Sequence, residues 1–409
     1  MEERPLHVLI AGGGLSGLCL AQGLKRDGIS CAVYERDPEV RRQGYRITIN
    51  GDGGNALEAC LPEDLYELYL QASRNTPPKR MAVVVSAQCD ELSASPHFGA
   101  PNDGPRPHTA IHRRTLRQIL GARLGDALRP GTVAGFEHDG ERVRLLLDDG
   151  STAEGDVLVG ADGVHSAIRR ELLPDVEVID TGVRGLGVFA RTPLPPDVHD
   201  ALPEILLSGF VIAVDPATGV TLAMGAMDPR RAPEEAAAEL APGVRVDPVE
   251  PYMMLSGGIR PGSPIPSPAE WTEKTAREVH ASMVDAVSGW HPALRGLVER
   301  IELDTMFASN FMRLDPTPPW EPGNVTLVGD AIHAMLPTLG MGGNTSLRDA
   351  AVLTERLAAA QRGELGLVEA IGAYEQDMRE FAYPIMEMSA DHDRFGGGGL
   401  RQKETAERT

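Results

Sequence analysis

The amino-acid sequence predicts an α/β fold in which a parallel-sheet domain is interrupted by a smaller mixed or antiparallel β-sheet domain and ends in a helical C-terminal region. Three observations support this prediction. A glycine-rich turn follows an apolar strand near the N-terminus. Dense proline and glycine with short β-like runs fill residues 176–280, and an apolar strand with a long helix follows residue 324. At 409 residues, of which 42% are hydrophobic, the chain can hold two or three domains.

The first element is an apolar strand at residues 7–11 that runs directly into the loop GGGLSG. This loop matches the pattern G-x-G-x-x-G, and an apolar helix follows it to about residue 27. The first glycine permits the tight turn, the second lets the backbone approach a pyrophosphate, and the third lets helix and strand pack closely. The pattern therefore predicts a Rossmann-like dinucleotide site with candidate residues Gly12, Gly14, Leu15, Ser16 and Gly17.

The next strand, ISCAVYER, ends at Glu35, which lies 18 residues after Gly17. An acidic residue at this spacing accepts hydrogen bonds from a ribose in dinucleotide-binding folds. A second glycine pattern, GDGGNA at residues 51–56, follows too closely to open another such unit. It is interpreted as a turn that leads into a helix.

The middle of the chain continues the alternation of strands and helices. The stretch HTAIHRRTLRQIL, near residues 108–128, predicts an amphipathic helix, and residues 131–160 predict hairpin strands. From about residue 176 to 280 the short β-like runs predict an inserted sheet domain. The Gly-rich tail at 395–409 is polar and predicted to be disordered.

Two dipeptides place an aspartate at the carboxyl end of an apolar strand. Asp162-Gly163 belongs to the pattern D-G-x-x-S-x-x-R, which Ser166 and Arg169 complete, and Gly329-Asp330 ends the strand that begins near residue 324. Ligands of open α/β sheets bind outside the carboxyl ends of the strands. Both aspartates are therefore candidate ligand contacts.

Charge and composition indicate which kinds of molecule the protein binds. The chain has 39 basic and 59 acidic residues and a net charge of −20, so it should repel nucleic acid and anionic membranes. The acidic surface also serves solubility, and this alternative stays open. No metal-ligand spacing such as H-E-x-x-H or C-x-x-C occurs, and no signal peptide or membrane-spanning stretch is evident. These features predict a small-molecule partner, a cytoplasmic location and no metal.

Together, the glycine loop, Glu35, Asp162-Gly163 and Gly329-Asp330 make the chain resemble the FAD-dependent aromatic hydroxylases. These are the para-hydroxybenzoate hydroxylase-like group A flavoprotein monooxygenases, and the resemblance covers nearly the whole chain. It implies that the glycine loop and Glu35 bind the ADP half of FAD. It also implies that Asp162-Gly163 supports the pyrophosphate and the nicotinamide nucleotide, and that Asp330 contacts the flavin ribityl or pyrophosphate.

The same resemblance implies further FAD contacts. The loop GMGGN would bring backbone N–H groups to the pyrimidine edge of the flavin. It assigns no certain catalytic side chain, but it implies that a loop of Pro337, Gly340, Gly342 and Gly343 faces the flavin. The remaining implied cofactor-binding residues are Arg36, Arg46, Arg113, Arg117, Gly163, Gly329 and Asn344.

The implied domains are discontinuous. Residues 1–75, 101–175 and 281–394 would form the FAD-binding domain, and residues 76–100 and 176–280 the substrate-binding β-sheet domain. The implied function is an NAD(P)H- and FAD-dependent monooxygenase that hydroxylates or epoxidises an aromatic or polycyclic molecule through a C4a-hydroperoxyflavin. The protein would use O2, have NADPH or NADH as transient reductant and be a monomer or homodimer. The alternatives are an FAD-dependent reductase or dehydrogenase of the same fold and a non-catalytic flavin-binding protein.

Several residues have two interpretations. His333 is a candidate base, although a loop-shaping role is favoured, and Asn344 could contact the flavin or cap the next helix. Four methionines of the sheet domain could line a substrate pocket, although core packing is favoured. These are Met224, Met227, Met253 and Met254. Three arginines could meet an acidic substrate, although a surface location is favoured: Arg184, Arg191 and Arg260.

Overall fold

A computed structural model of the chain describes residues 5–37, 45–74, 82–96, 99, 109–140, 142–181, 188–258, 274–308 and 311–390. The predicted disordered tail, Arg184 and Arg260 lie outside these residues. The strands are β1 His7–Ala11, β2 Ser30–Glu35, β3 Arg46–Ile49, β4 Ala82–Ser86, β5 Glu91–Ser95, β6 Thr109–His112, β7 Leu128–Pro130, β8 Val133–Asp139, β9 Arg142–Leu147, β10 Thr152–Gly155, β11 Val157–Gly160, β12 Ile179–Asp180, β13 Val188–Pro193, β14 Phe210–Asp215, β15 Val220–Met227, β16 Tyr252–Gly258, β17 Phe307–Ala308, β18 Met312–Arg313 and β19 Val325–Leu327. The helices are α1 Leu15–Arg26, α2 Gly51–Cys60, α3 Glu63–Ala72, α4 Arg113–Gly121, α5 Ala167–Leu172, α6 Pro196–Ala201, α7 Pro233–Leu240, α8 Ala276–Ala286, α9 Pro292–Glu299, α10 Asp330–His333, α11 Gly342–Gln361 and α12 Leu367–Ala390.

The first sheet has five strands in the order β19-β11-β1-β2-β7, and all its pairings are parallel. Its central strands consist almost entirely of buried apolar residues because helices cover both faces of a parallel sheet. This is the predicted Rossmann-like arrangement. Since all five strands run in one direction, the loops after β1, β11 and β19 emerge at the same edge of the sheet.

The GDGGNA stretch is helical, whereas the sequence predicted a turn before the helix. Helix α2 begins at Gly51, so these glycines form its first turns rather than a turn before it. The reason is Asn50, whose side-chain oxygen accepts a hydrogen bond from the Gly53 backbone N–H at 3.2 Å and caps the helix. Sequence inspection missed this cap because the glycines dominated the pattern.

The inserted sheet has seven strands in the order β17-β13-β16-β15-β14-β4-β5, and it is mixed as predicted because β14 and β4 pair in parallel. One face packs on α8 and α9 through a second apolar core that includes Met224, Met253 and Leu255. The opposite face carries a smaller cluster that includes Phe189, Met227, Tyr252 and Met254. The four methionines therefore divide between the two faces, two on each.

The domain boundaries drawn from the sequence remain a prediction. One observation bears on them, since α8 and α9 pack on the seven-stranded sheet although residues 281–299 were assigned to the FAD-binding domain. Within the described ranges, no helix combines the length and apolar character that crossing a bilayer requires.

Helix α12 brings a buried carboxyl to the edge of the parallel sheet. Glu375 has no solvent exposure, and its Oε1 accepts hydrogen bonds from Trp320 Nε1 at 3.1 Å and Thr326 Oγ1 at 2.9 Å. Its Oε2 has no partner among the described residues. Burial raises the pKa of Glu375 to about 7, although the Thr326 hydrogen bond and the charge of Arg379 oppose this rise.

This raised pKa predicts a pH-dependent stability. The folded chain holds the Glu375 proton more tightly than the unfolded chain, so stability should fall as pH rises from about 4.5 to about 7. Replacing Glu375 by Gln should remove this fall because the amide does not ionise. The difference in free energy of unfolding between E375Q and wild type should grow by roughly 3 kcal/mol from pH 4.5 to pH 8. Urea unfolding at each pH measures it, and the exposed E380Q variant of the same helix is the control. A pH-independent difference would contradict the prediction.

Candidate functional site

The glycine loop after β1 is shaped by close backbone contacts. Gly12 has φ +103°, and a Cβ there would overlap the carbonyl oxygen of Ala161. A Cβ at Gly17 would overlap the carbonyl oxygen of Gly12. At Gly14, by contrast, the nearest atom to an added Cβ is the Ala161 oxygen at 4.0 Å. Two of the glycines are thus required by packing, while Gly14 leaves open space at the N-terminus of α1, where a phosphate would bind.

Glu35 lies against the same loop. Its Oε2 accepts a hydrogen bond from the Gly13 N–H at 2.7 Å, and its Oε1 accepts one from the Asp37 N–H at 2.9 Å. Arg117 approaches Oε2 at 3.4 Å and donates from Nε to the Gly13 carbonyl at 2.8 Å. The carboxylate has lone pairs left for a ribose, because two oxygens offer about four acceptor sites. Of the other predicted arginines of this region, Arg36 and Arg113 are exposed.

The loop after β11 holds Asp162 near the glycine loop. Asp162 Oδ2 accepts a hydrogen bond from the Ala167 N–H at 2.7 Å, whereas its Oδ1 is buried without a partner among the described residues. Ser166 caps α5 by accepting from the Arg169 N–H at 2.9 Å. Gly163 has φ +78° and nothing within 4 Å of an added Cβ, so the turn leaves space beside it.

Arg169 joins this loop to the next one. Its side chain is 1% exposed, Nη1 donates to the Ala331 carbonyl at 2.8 Å, and Nη2 donates to the Val164 carbonyl at 2.8 Å. Ala331 lies in α10, directly after Gly329-Asp330. One buried guanidinium therefore connects the two predicted aspartate motifs.

The turn at Gly329 packs tightly. It has φ +63°, and an added Cβ would lie 2.9 Å from Ser16 Oγ and 3.0 Å from Ser346 Oγ. The glycine thus lets α10 start between α1 and α11. Asp330, the first residue of α10, is exposed at this edge of the sheet.

His333 is part of a buried ion pair that supports the turn. Its Nε2 lies 2.6 Å from Asp349 Oδ2, and the same oxygen accepts a hydrogen bond from the Gly329 N–H at 2.9 Å. Burial alone lowers the pKa of His333, but the charge and hydrogen bond of Asp349 outweigh it, so the pKa lies above its ordinary value. This geometry favours the loop-shaping role of His333. Sequence inspection missed Asp349. An acidic residue among the apolar positions of α11 could have identified it as a buried, functional carboxylate.

The GMGGN loop is fastened to β3 and α2. Asn344 Nδ2 donates to the carbonyls of Thr48 at 3.0 Å and Gly340 at 2.9 Å, and its Oδ1 accepts from the Asn50 N–H at 2.9 Å. Met341, not Asn344, is the N-cap of α11. An added Cβ would have nothing within 4 Å at Gly343, so the helix N-terminus is open there. Pro337 opens a short 3-10 turn, and Gly340 follows it with φ +66°.

These loops fit a dinucleotide cofactor on their own geometry. Two helix N-termini have open space beside Gly14 and Gly343, and Asp162 keeps a buried oxygen without a partner among the described residues. Residues 112–389 match the family model of the FAD binding domain, and residues 10–59 match that of an NAD(P)-binding Rossmann-like domain. The chain belongs to the FAD binding domain family.

The curated relatives that match the chain are named as monooxygenases or as an epoxidase. A dual O-methyltransferase/FAD-dependent monooxygenase of Phaeosphaeria nodorum is 29% identical over 97% of this chain and 45% of its own length. A chloroplastic zeaxanthin epoxidase of Nicotiana plumbaginifolia is 28% identical over 93% of this chain and 53% of its own length. The chain thus spans about half the length of these curated relatives. An aurachin C monooxygenase/isomerase of Stigmatella aurantiaca is 27% identical over 86% of this chain and 81% of its own length.

Solved structures share the fold. A Photorhabdus luminescens protein provisionally described as an FAD-containing monooxygenase superposes with a TM-score of 0.79 and 29% identity, covering 94% of this chain and 96% of the other. The HpxO protein of Klebsiella pneumoniae, solved with FAD and uric acid, has a TM-score of 0.73 at 19% identity and covers 97% of this chain and 92% of its own. At that identity the likeness shows the fold alone.

The two glycines of the first loop should respond differently to alanine. Gly17→Ala should lower the free energy of unfolding by about 1–3 kcal/mol, because its Cβ meets a backbone oxygen that cannot move freely. Gly14→Ala should change stability by less than about 0.5 kcal/mol and instead weaken FAD binding, because its Cβ fills the open space. Urea unfolding of the apoproteins and FAD titration separate the two effects. Equal FAD affinity of G14A and wild type would contradict this assignment.

Proposed function

We propose that the chain is an NAD(P)H- and FAD-dependent monooxygenase that hydroxylates or epoxidises an aromatic or polycyclic small molecule. The observation that carries this proposal is the convergence of three loops, after β1, β11 and β19, at one edge of the parallel sheet. The membership of the FAD binding domain family and the relatives that are named as monooxygenases support it. When bound, FAD would take a hydride from NAD(P)H and pass one atom of O2 to the substrate, the other leaving as water.

The chain's own residues would bind and orient the cofactor. The glycine loop would meet the pyrophosphate, Glu35 the adenosine ribose, and Asp330 the ribityl or pyrophosphate. The open N-terminus of α11 at Gly343 would supply N–H groups and a positive dipole end to the pyrimidine edge of the flavin. Arg169 and Asp349, which are buried and bonded to backbone atoms of the loops, would keep these groups in register rather than touch the substrate.

The aromatic face of the seven-stranded sheet would hold the substrate. Phe189 and Phe307 stack with ring centroids 5.2 Å apart, and Tyr45 stacks on Phe189 at 5.3 Å. Such a face suits a flat, apolar ring system and keeps water away from it. Relatives whose names specify an epoxidase or a monooxygenase/isomerase are compatible with this substrate class but do not identify the compound.

Oxygen uptake by the FAD-loaded protein tests the activity. NADPH and then NADH are supplied with a panel of phenols and polycyclic aromatics, and hydrogen peroxide is assayed in parallel. We expect ligand-stimulated uptake with little peroxide, which is the behaviour of a coupled monooxygenase. Ligand-stimulated oxidation of NAD(P)H without matching oxygen uptake would instead favour a reductase. Bound FAD with no stimulated turnover would favour a flavin-binding protein.

Asp330 provides a residue-level test of cofactor binding. Asp330→Ala should weaken FAD binding by roughly 10-fold or more, because a charge-assisted hydrogen bond is lost. The free energy of unfolding of the apoprotein should change little, since the side chain is exposed. FAD content after purification and titration of the apoprotein measure the effect. The matched control is Asp148→Ala, in the exposed turn after β9, and full flavin content in D330A would show that Asp330 is misplaced.

A further inference from the structure

Arg46 is a buried charge that forms no ion pair of its own with the residues that the structure describes. It is the first residue of β3, it is 4% exposed, and its Nε has no partner among the described residues. Its guanidinium lies against Gly225 in β15, where an added Cβ would overlap Nη1. The side chain thus points at the seven-stranded sheet, on the same face as Tyr252 and Met254.

Among the described residues, the charge of Arg74 opposes that of Arg46, and the carboxylate of Asp228 acts in the other direction. Arg74 is 2% exposed, pairs through Nε with Asp228 and donates from Nη2 to the Leu207 carbonyl at 2.7 Å, but its buried Nη1 has no described partner. Burial first and then the charge of Arg74 lower the pKa of Arg46 to about 9, so it remains a cation at neutral pH. Asp228, the described carboxylate that acts on Arg46, is already engaged by Arg74.

The polar neighbours do not supply a negative charge either. His112 is the β6 residue opposite Arg46, and its Nδ1 lies 2.8 Å from the Tyr252 hydroxyl. Burial, with the charge of Arg191, lowers the pKa of His112 to about 4, and burial raises the pKa of Tyr252. Both are neutral at pH 7. Arg191 places its guanidinium 5.5 Å from the Tyr252 ring centre and is half-buried, so a third cation borders this region.

We propose that Arg46, with Arg74 behind it, binds an anionic oxygen group of the substrate on the aromatic face of the sheet. This inference rests on the proposed function and names its substrate class, a flat aromatic acid or an ionised phenol or enol. A buried guanidinium without a partner is costly, and a carboxylate that pairs with it recovers that cost. The stacked rings of Tyr45, Phe189 and Phe307 would receive the apolar body of the same molecule. Arg46 is thereby a substrate-specificity residue and not a ligand of the FAD phosphates.

The test is a binding titration that needs no turnover. The FAD-loaded protein is titrated with 2-naphthoate, with its neutral isostere 2-naphthamide, and with 2,4-dinitro-1-naphthol, which is ionised at neutral pH. Perturbation of the visible flavin spectrum reports binding. We expect wild type to bind 2-naphthoate roughly 10-fold or more tightly than 2-naphthamide. Comparison with the ionised naphthol then tells whether a carboxylate or a phenolate is preferred.

Three variants locate the effect. Arg46→Gln should weaken 2-naphthoate binding roughly 10- to 100-fold and leave 2-naphthamide binding and FAD affinity within about 2-fold. Arg46→Lys should fall between, because it keeps the charge but not the planar fork. Gly225→Ala keeps Arg46 and displaces its head group, so it should also weaken 2-naphthoate, and it carries the test if R46Q does not fold. The exposed Arg295→Gln variant is the control.

The contradicting outcomes are distinct. Equal affinity of wild type for 2-naphthoate and 2-naphthamide, or no binding of any anionic probe, would overturn the anion site. Loss of FAD from R46Q with unchanged 2-naphthoate affinity at saturating FAD would make Arg46 a cofactor ligand. Failure of the proposed activity is measured separately by oxygen uptake, so an anion site without turnover would leave this inference standing and reject only the monooxygenase assignment.

Discussion

The site is organised around the buried side chain of Arg169. Its two terminal nitrogens donate to Val164, in the loop after β11, and to Ala331, in the helix after β19. A guanidinium removed from water must find acceptors, so these two loops are held at a separation set by one rigid planar group. The contact between Gly12 and Ala161 then fixes the glycine loop against the same edge.

Asp349 also holds one of these loops in place through buried hydrogen bonds. It belongs to the long helix α11, yet one of its oxygens receives both the Gly329 N–H and His333. Because α11 also packs on α1 and α2, a displacement of this helix would be transmitted to the turn that carries Asp330. The three candidate loops are thus supported by buried polar contacts and not by apolar packing alone. Because hydrogen bonds are directional, they fix the orientation of each loop as well as its position.

The buried polar groups separate into two kinds. Arg169 and Asn344 are bonded to backbone atoms of the loops and complete the scaffold. Asp162 Oδ1, Arg46 Nε and Arg74 Nη1 are buried without described partners. Arg169 Nε, within the scaffold, also lacks a described partner, so an unpaired atom marks a candidate contact only where open space or a binding face lies beside it. The first lies at the edge where the cofactor loops meet, and Arg46 lies against Gly225 on the aromatic face of the inserted sheet.

The sequence by itself determined the fold class and the three loops, because each loop has a local cause. Glycines with forced backbone conformations, an apolar strand before each turn and an aspartate at the strand end are all readable over a few residues. The inserted mixed sheet was also predicted from local sequence, through its proline and glycine content and its short β-like runs. The last strand of the first sheet was predicted from the apolar run after residue 324. The capping of α2 by Asn50 is equally local, three residues from Gly53, although the surrounding glycines obscured it. The pairing of His333 with Asp349 and the place of Arg46 against Gly225 were not predictable in this way. These contacts join residues on different elements, up to 179 positions apart for Arg46 and Gly225, and only the packing of the two sheets decided which side chains were left buried without a partner.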